Sequence, residues 1–244
     1  MTDALTDPVV AEKDSDRTTE AFNSIRQLIL FDRLPPGTPI IQTKMARKLH
    51  HSRATLRAAL QRLAQEGYVV ETELGTYSRF VVASLTVEDM NELYSIIGAL
   101  EGMAVRYCAE LDTDRRLALA DRLEALTKRN LEMGQDEQVP RECATRVDTE
   151  LHNAFAGMAP GSRLKNMLDS VRPQADRYRD VYSVRRVPEM RALAAPEHQE
   201  IVDAIRSGDA DRSERAVGRH WRACAERMRA LIERLGERRG YLEY

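Results

Sequence analysis

The second half of the chain keeps a helical pattern almost without interruption, and this pattern constrains the fold more than any other feature. From Ser84 onward Ala, Leu, Arg and Glu are abundant, and aromatic residues are few. Apolar residues recur at the three- and four-residue spacing of amphipathic helices. The sequence therefore predicts an all-α bundle over residues 84–240, with helices at about residues 86–110, 113–133, 140–157, 161–184, 188–207 and 211–236.

Residues 18–83 carry a different pattern, which begins with two shorter helices. Apolar residues recur at helical spacing after the capping pair Thr18–Thr19. The run Leu34–Pro39 ends this first helix, because its prolines remove backbone donors and its glycine permits a turn. A second short helix is predicted from about Gln42 to Leu49.

Ser52 stands at the N-cap of a third predicted helix, which ends near Gly67. Two strands, at about residues 68–70 and 80–82, then flank a turn at Leu74–Thr76. Three helices followed by a hairpin predict a winged helix-turn-helix. The predicted fold class is mainly α, with this N-terminal winged helix-turn-helix followed by a C-terminal all-α helical bundle.

Charge is distributed unevenly along the chain, although the formal net charge is only −2. Residues 17–82 carry ten Lys or Arg against five Asp or Glu, whereas residues 1–16 carry one Lys against five acidic residues. A basic block of this kind is typical of a module that binds a polyanion such as DNA. We interpret residues 1–17 as a disordered acidic tail and residues 18–83 as a DNA-binding domain.

Arg53 and Arg57 are the candidates for reading DNA sequence. They are four residues apart on the third predicted helix, so they project from one face near its N-terminus. A recognition helix presents side chains to base edges in the major groove at this place. The spacing alone leaves open the alternative of a solvated basic helix face.

The order of motifs in this block resembles the GntR family of bacterial transcription regulators. The resemblance is carried by L-P-P-G-T at residues 34–38 and by S-R-x-T-x-R-x-A-L-x-x-L-x-x-E-G-Y at residues 52–68. It implies that Arg53 and Arg57 read guanine edges, while Ser52 and Thr55 fix the phosphate backbone. The second helix adds the DNA-binding candidates Thr43, Lys44 and Arg47.

Some positions depart from that family pattern. His50–His51 stand where the family has a small residue followed by an aliphatic one, and Ala58 replaces a frequent Glu. Arg79 lies where a wing glycine is expected, and Thr43 lies where several members place another arginine. These departures concern the operator sequence and the wing contact rather than the mode of docking.

Three histidines in the second half offer candidate metal ligands. Asp148 and His152 are four residues apart, so both side chains lie on one helical face and can chelate one ion. An exposed Asp/His pair is the alternative reading of this spacing. His198 lies on the predicted helix at about residues 188–207, and His220 lies on the one at about residues 211–236.

The arrangement of these residues resembles the metal-binding FCD effector domain of the FadR subfamily. That domain carries D-x-x-x-H on one helix, E-H-x-x-I-x-x-A-I-x-x-G-D on another and H on the last, and the resemblance covers about residues 85–235. It implies a divalent ion bound by Asp148, His152, His198 and His220. Three imidazoles and a carboxylate suit zinc first, with nickel, manganese or iron as alternatives.

The resemblance also implies an effector, a small organic acid that binds at the metal. In a homodimer such binding would change the spacing of two DNA-binding domains and hence the affinity for a double-stranded DNA operator. Ile97 occupies a place where members often have an arginine. The candidates for binding the carboxylate effector are therefore Arg106, Arg172, Gln174 and Arg179.

Several function classes are excluded or disfavoured by the sequence. Its apolar runs are shorter than a membrane span needs, and its three cysteines are isolated, so a cytoplasmic protein without a membrane partner is expected. We predict a sequence-specific DNA-binding transcription regulator, with repression as the expected sign, and not an enzyme. Two alternatives are a metalloenzyme with a basic accessory domain and a regulator whose metal is only structural.

Overall fold

The computed structural model describes residues 8–74, 77–136, 138–139, 141–182 and 187–239. The chain divides into two compact units, of which the second spans Val87–Gly236. The first unit reaches Thr86 and also includes the chain from Glu237 onward. There Leu85 and Arg238 exchange backbone hydrogen bonds of 2.9 and 3.1 Å. The boundaries thus differ from the predicted domain at residues 84–240.

The described part of the first unit is a winged helix-turn-helix, as the sequence predicts. Its sheet has the order β1-β3-β2, and both strand pairs are antiparallel. In chain order the elements are α1 (Pro8–Leu30), β1 (Pro39–Ile40), α2 (Gln42–Leu49), α3 (Arg53–Gln65), β2 (Val69–Leu74) and β3 (Tyr77–Val82).

Helix α1 begins at Pro8, ten residues before the predicted cap at Thr18. Residues 8–17 are therefore helical in the structure, where the sequence predicts a disordered acidic tail, and residues 1–7 lie outside the described residues. Proline suits the first turn of a helix. It has no amide hydrogen, and amide hydrogens in that turn have no carbonyl partner within the helix. Neither glycine nor another proline interrupts the helix before its end at Leu30.

The turn between α2 and α3 sets the position of the recognition helix. His50 ends α2 in the left-handed conformation, with φ at 57°. A glycine adopts this conformation without steric cost, which explains why the family favours a small residue there. Ser52 then caps α3, because its Oγ accepts the Thr55 amide hydrogen bond at 3.0 Å.

The wing is longer than the sequence predicts. Strands β2 and β3 pair from Val69 opposite Val82 to Leu74 opposite Tyr77. Three consecutive polar residues at positions 71–73 interrupt the apolar alternation and obscured this extension, and the two-residue strand β1 is too short to show a period. The core beneath the wing joins α1, α3 and β3 through Ala21, Phe22, Ile25, Leu56, Leu60, Leu63, Phe80 and Val82.

The second unit is the predicted all-α bundle. Among the described residues its helices are α4 (Val87–Ala109), α5 (Thr113–Gln135), α6 (Arg141–Ala156), α7 (Ser162–Tyr182), α8 (Val187–Ser207) and α9 (Ala210–Leu235). The two most closely packed helices are α4 and α9. A Cβ atom added at Gly98 would lie 3.0 Å from Cβ of Trp221, so glycine permits this close approach. No helix in the described part of the chain is long and apolar enough to cross a membrane.

Candidate metal centre and recognition surface

Three buried histidines from three helices meet inside the bundle. His152 lies on α6, His198 on α8 and His220 on α9, and their residues are 7%, 1% and 3% exposed. Their ring centroids are 4.7 to 5.5 Å apart. One nitrogen from each ring lies within 4.8 Å of the other two. The sequence motifs named these residues, and the structure brings all three together.

Hydrogen bonds to carboxylates hold Nδ1 of two of these rings, and Nε2 of His220 lies 3.6 Å from Sγ of Cys224. Nδ1 of His152 pairs with Oε2 of Glu101 at 2.9 Å, and Nδ1 of His220 pairs with Oε2 of Glu197 at 2.8 Å. Nε2 of His198 is buried without a hydrogen-bond partner among the described residues. A buried polar atom without a partner is costly, whereas a metal ion would satisfy it. These three side chains therefore fit a divalent ion.

Asp148 lies beside this cluster as an ionised carboxylate. Its Oδ1 is 4.0 Å from Nε2 of His198 and accepts a hydrogen bond from Asn130 at 3.0 Å. Its Oδ2 accepts one from Arg179 at 3.0 Å. Burial raises the pKa of Asp148, but His152 and Arg179 outweigh it and hold that pKa well below its usual range. The carboxylate is thus held as an anion beside the cluster, with both oxygens in hydrogen bonds, and it lies outside the group of ligand atoms that the three histidines form within 4.8 Å of one another.

Glu101 is the buried carboxylate that orients the cluster, and the motif analysis did not assign it a role. Its side chain is fully buried and accepts hydrogen bonds from Arg172 at 2.6 Å and from Nε1 of Trp221 at 2.7 Å, beside its bond to His152. Burial raises the pKa of Glu101, but His152 and Arg172 lower it to about 2. A charged residue on the apolar face of α4 was the signal that could have found it.

The remaining pKa shifts show how the imidazoles differ. Burial, together with the neighbouring His220, lowers the pKa of His198 to about 3, so this ring is neutral and ready to bind a metal. Burial also lowers the pKa of His220, but Cys224 and Glu197 raise it to about 10. An ion that binds His220 must therefore displace its proton.

A cavity of about 430 Å³ opens beside the histidines. It is lined by Asp148, His152 and His220, and Ile97 forms part of an apolar wall with Met190 and Met228. The position of the expected arginine is therefore apolar in this chain. The cations that line the cavity are Arg172, Arg179, Arg191 and Arg227.

The cavity brings together two of the four predicted effector contacts and leaves out the other two. Arg172 and Arg179 line the cavity, but Arg106 pairs with Asp211 at 2.5 Å and Glu214 at 2.8 Å on the surface. Gln174 is not among the lining residues, and its amide donates to a backbone carbonyl of α7. Helical geometry explains this, because residues 172 and 179 share one face of α7 whereas residue 174 points away from it.

The candidate DNA-binding residues lie on α2 and α3. Arg53 and Arg57 are exposed on α3, as are Lys44 and Arg47 on α2, while Thr43 is half-buried. Ser52 is exposed and Thr55 is buried, and their hydroxyl oxygens are 2.7 Å apart. The structure thus presents four basic side chains to solvent on the helix-turn-helix.

Two family models match this chain. The model described as bacterial regulatory proteins, gntR family, matches residues 17–74, and the FCD domain matches residues 92–223. The chain belongs to the GntR family and carries an FCD domain. This GntR-family protein is therefore a DNA-binding transcription regulator and not an enzyme, which removes the metalloenzyme alternative.

Curated relatives agree with this assignment. The regulator is 23% identical over 161 residues to the HTH-type transcriptional regulator YdhC of Bacillus subtilis. The aligned region covers 66% of this chain and 68% of that protein. It is 26% identical over 208 residues to the "Probable D-xylose utilization operon transcriptional repressor" of Paenarthrobacter nicotinovorans, with coverages of 84% and 86%. A further relative, an HTH-type transcriptional regulator of Agrobacterium vitis, is matched over 54% of its length.

The fold is also similar to that of Escherichia coli McbR/YncC. The TM-score is 0.60 at 19% identity, and the match covers 90% of this chain and 99% of that one. At this level of identity the likeness concerns the fold alone.

We predict that Glu101→Gln lowers the free energy of unfolding by about 3 to 5 kcal/mol, because it leaves the buried Arg172 guanidinium without a charged partner. Since folding lowers the pKa of Glu101, its contribution is present above the unfolded value of about 4.5 and is lost as pH falls towards about 2. Denaturant unfolding of the full chain at several pH values measures both effects.

The matched control is Glu150→Gln, which removes an exposed carboxylate 3.3 Å from Arg122. We expect this change to cost less than about 1 kcal/mol. Equal effects of the two substitutions would contradict the role of Glu101.

Proposed function

We propose that this GntR-family regulator is a cytoplasmic homodimer whose affinity for a double-stranded DNA operator is controlled by a carboxylate bound at a metal ion. The ion is held by Asp148, His152, His198 and His220. Zinc is the preferred ion for this donor set, with nickel, manganese or iron as alternatives. The observation that carries the proposal is the buried Nε2 of His198, which lacks a partner among the described residues beside two histidines already oriented by carboxylates.

The metal would supply a positive charge in the cavity that Arg172 and Arg179 do not. Arg172 pairs with Glu101, and Arg179 pairs with Asp148 and Asp176, so the charge of both guanidiniums is already balanced. A bound divalent ion with an open coordination position can accept an effector carboxylate. Because its ligands come from α6, α8 and α9, ligand binding at the ion acts on three helices at once.

DNA recognition is assigned to the helix-turn-helix. Arg53 and Arg57 contact base edges, Ser52 and Thr55 lie at the phosphate backbone, and Thr43, Lys44 and Arg47 supply further contacts from α2. The exposure of the two α3 arginines on one helix face supports this assignment. Repression is the proposed sign of regulation, in keeping with the name of the Paenarthrobacter relative.

The outer face of α4 supports the homodimer. Ile96, Ala99, Met103 and Tyr107 are exposed there at spacings of three and four residues. Such a stripe suits a seam between two helices. A symmetric dimer would bury this stripe against its own copy and present two recognition helices to a pseudo-palindromic operator.

A purely structural metal is the second candidate function of the site. It is favoured by the burial of all three histidines and by their positions on three different helices, which an ion would cross-link. In that case removal of the ion unfolds the second unit, and carboxylates have no effect that depends on the metal.

We predict that the purified regulator binds one zinc ion per chain and that His198→Ala reduces its zinc affinity at least about 100-fold, since the substitution removes a ligand from the interior. Isothermal titration of chelator-treated protein measures this. His51→Ala changes a histidine in the other unit and should leave zinc binding as in the wild type. Unchanged zinc affinity in His198→Ala would show that the ion is bound elsewhere.

We predict that Arg57→Ala weakens binding to an operator duplex, selected from a random pool by the wild type, by about 5- to 150-fold. Binding to unrelated DNA should change little. Lys48→Ala, also exposed, should weaken all duplexes similarly and reduce the salt dependence. Fluorescence anisotropy measures both, and normal operator binding by Arg57→Ala would overturn the assignment of the recognition helix.

We predict that Met103→Glu converts the dimer into a monomer, because it places a charge in the centre of the apolar stripe. Light scattering after size-exclusion chromatography measures the mass. Leu117→Glu, at another exposed apolar position outside the stripe, is the control and should remain dimeric. A dimeric Met103→Glu variant would place the interface elsewhere.

A further inference from the structure

The cavity beside the histidines has an apolar wall that three helices supply. Tyr94 and Ile97 lie on α4, Met190 on α8 and Met228 on α9. Met190 is half-buried, and the other three are buried. The Tyr94 ring packs edge-on against Trp221, with ring centroids 5.2 Å apart, and burial raises the pKa of its phenol. The wall is therefore uncharged and consists mostly of carbon and sulfur.

Helices α4 and α9, which carry most of this wall, run antiparallel. A Cβ atom added at Gly98 would lie 3.0 Å from Cβ of Trp221, and one added at Gly102 would lie 3.2 Å from Cγ of Glu214. A later position on α4 thus meets an earlier position on α9. Residues that precede a point on α4 therefore lie beside residues that follow the matching point on α9.

The apolar wall begins at the histidine cluster and extends away from it. Ile97 precedes Glu101 by four residues on α4, and Met228 follows His220 by eight residues on α9. Since an α-helix rises about 1.5 Å per residue, these offsets are about 6 Å and about 12 Å along the helices. The helices are antiparallel, so both offsets run in the same direction. A ligand that binds the proposed ion with one end would lay its other end along the wall.

The arginines around the cavity are not available for a second anionic group. All four that line it have partners in the structure, namely Arg172, Arg179, Arg191 and Arg227. A second carboxylate or a row of hydroxyl groups on the ligand would lose its water against the apolar wall. Such burial without new hydrogen bonds is costly. The cavity therefore disfavours dicarboxylates and sugar acids.

We propose that the effector is a monocarboxylate with an apolar body, such as an aryl or branched alkyl group, and that Ile97, Met190 and Met228 select this body. The inference rests on the proposed binding of a carboxylate at the metal ion. The cavity volume of about 430 Å³ lies within the range of about 300–1,000 Å³ for pockets that hold drug-sized ligands, so the body has room. The two methionines are flexible and adapt to its shape.

Isothermal titration of the zinc-loaded full-length protein with three acids tests the proposal. 3-Phenylpropionate has an apolar body, gluconate a hydroxylated one, and glutarate a second carboxylate. We expect 3-phenylpropionate to bind at least about tenfold more tightly than the other two, because their polar groups lose water at the apolar wall. Equal or tighter binding of gluconate or glutarate would overturn the proposal.

Substitutions in the wall test the same contact. Met190→Gln keeps the length of the side chain and makes its end polar, and Met228→Gln does the same on α9. Each should weaken the binding of 3-phenylpropionate about tenfold and leave the binding of acetate, which has only a methyl group as its body, unchanged. Met190 is half-buried, so its variant is expected to fold. Wild-type affinity of both variants for 3-phenylpropionate would contradict the proposal.

Met167→Gln is the matched control. Met167 is 54% exposed on α7 and is not among the residues that line the cavity. This variant should bind 3-phenylpropionate and acetate like the wild type. A loss as large as that of Met190→Gln would show that the effect does not arise at the wall.

Chelator-treated protein separates this inference from the proposed function. If 3-phenylpropionate binds equally with and without zinc and Met190→Gln still weakens it, the apolar wall stands and the proposed contact with the metal fails. If the zinc-loaded protein binds acetate but does not prefer 3-phenylpropionate, the metal contact stands and this inference fails. If it binds none of the acids, both fail.

Discussion

The proposed metal site depends on one buried charge, the carboxylate of Glu101 on α4. It accepts hydrogen bonds from His152 on α6, from Arg172 on α7 and from Trp221 on α9. A carboxylate in the interior is tolerated only when its charge is balanced and its oxygens are satisfied. The same bonds hold Nδ1 of the His152 ring, so the ion pair that makes Glu101 tolerable also orients a candidate metal ligand.

Glu197 repeats this arrangement on the other side of the cluster. It pairs with Arg227 and orients His220, as Glu101 pairs with Arg172 and orients His152. Two carboxylate–arginine pairs thus hold two imidazoles. His198 is held by burial, and its Nε2 has no hydrogen-bond partner in the described part of the chain. The cluster therefore joins side chains from α4, α6, α8 and α9 of the bundle.

The sequence predicted those features that depend on local spacing or on a family motif. The Ser52 cap, the six helices of the bundle and the three histidines are of this kind. Glu101 and Asn130 were not assigned roles, because their partners lie on other helices and tertiary packing alone brings them together. The same reason explains why the sequence did not predict the ion pairs of Arg106, whose acidic partners lie about 100 positions later on α9.

The most direct test of metal-dependent ligand control is a thermal-shift series with mono- and dicarboxylates on zinc-loaded and on chelator-treated protein. Binding to the folded state alone raises the unfolding temperature. The account predicts that at least one carboxylate stabilises the zinc-loaded protein and leaves the chelator-treated protein unchanged. Equal stabilisation of both forms, or none by any acid while the chelator alone lowers the unfolding temperature, would contradict it.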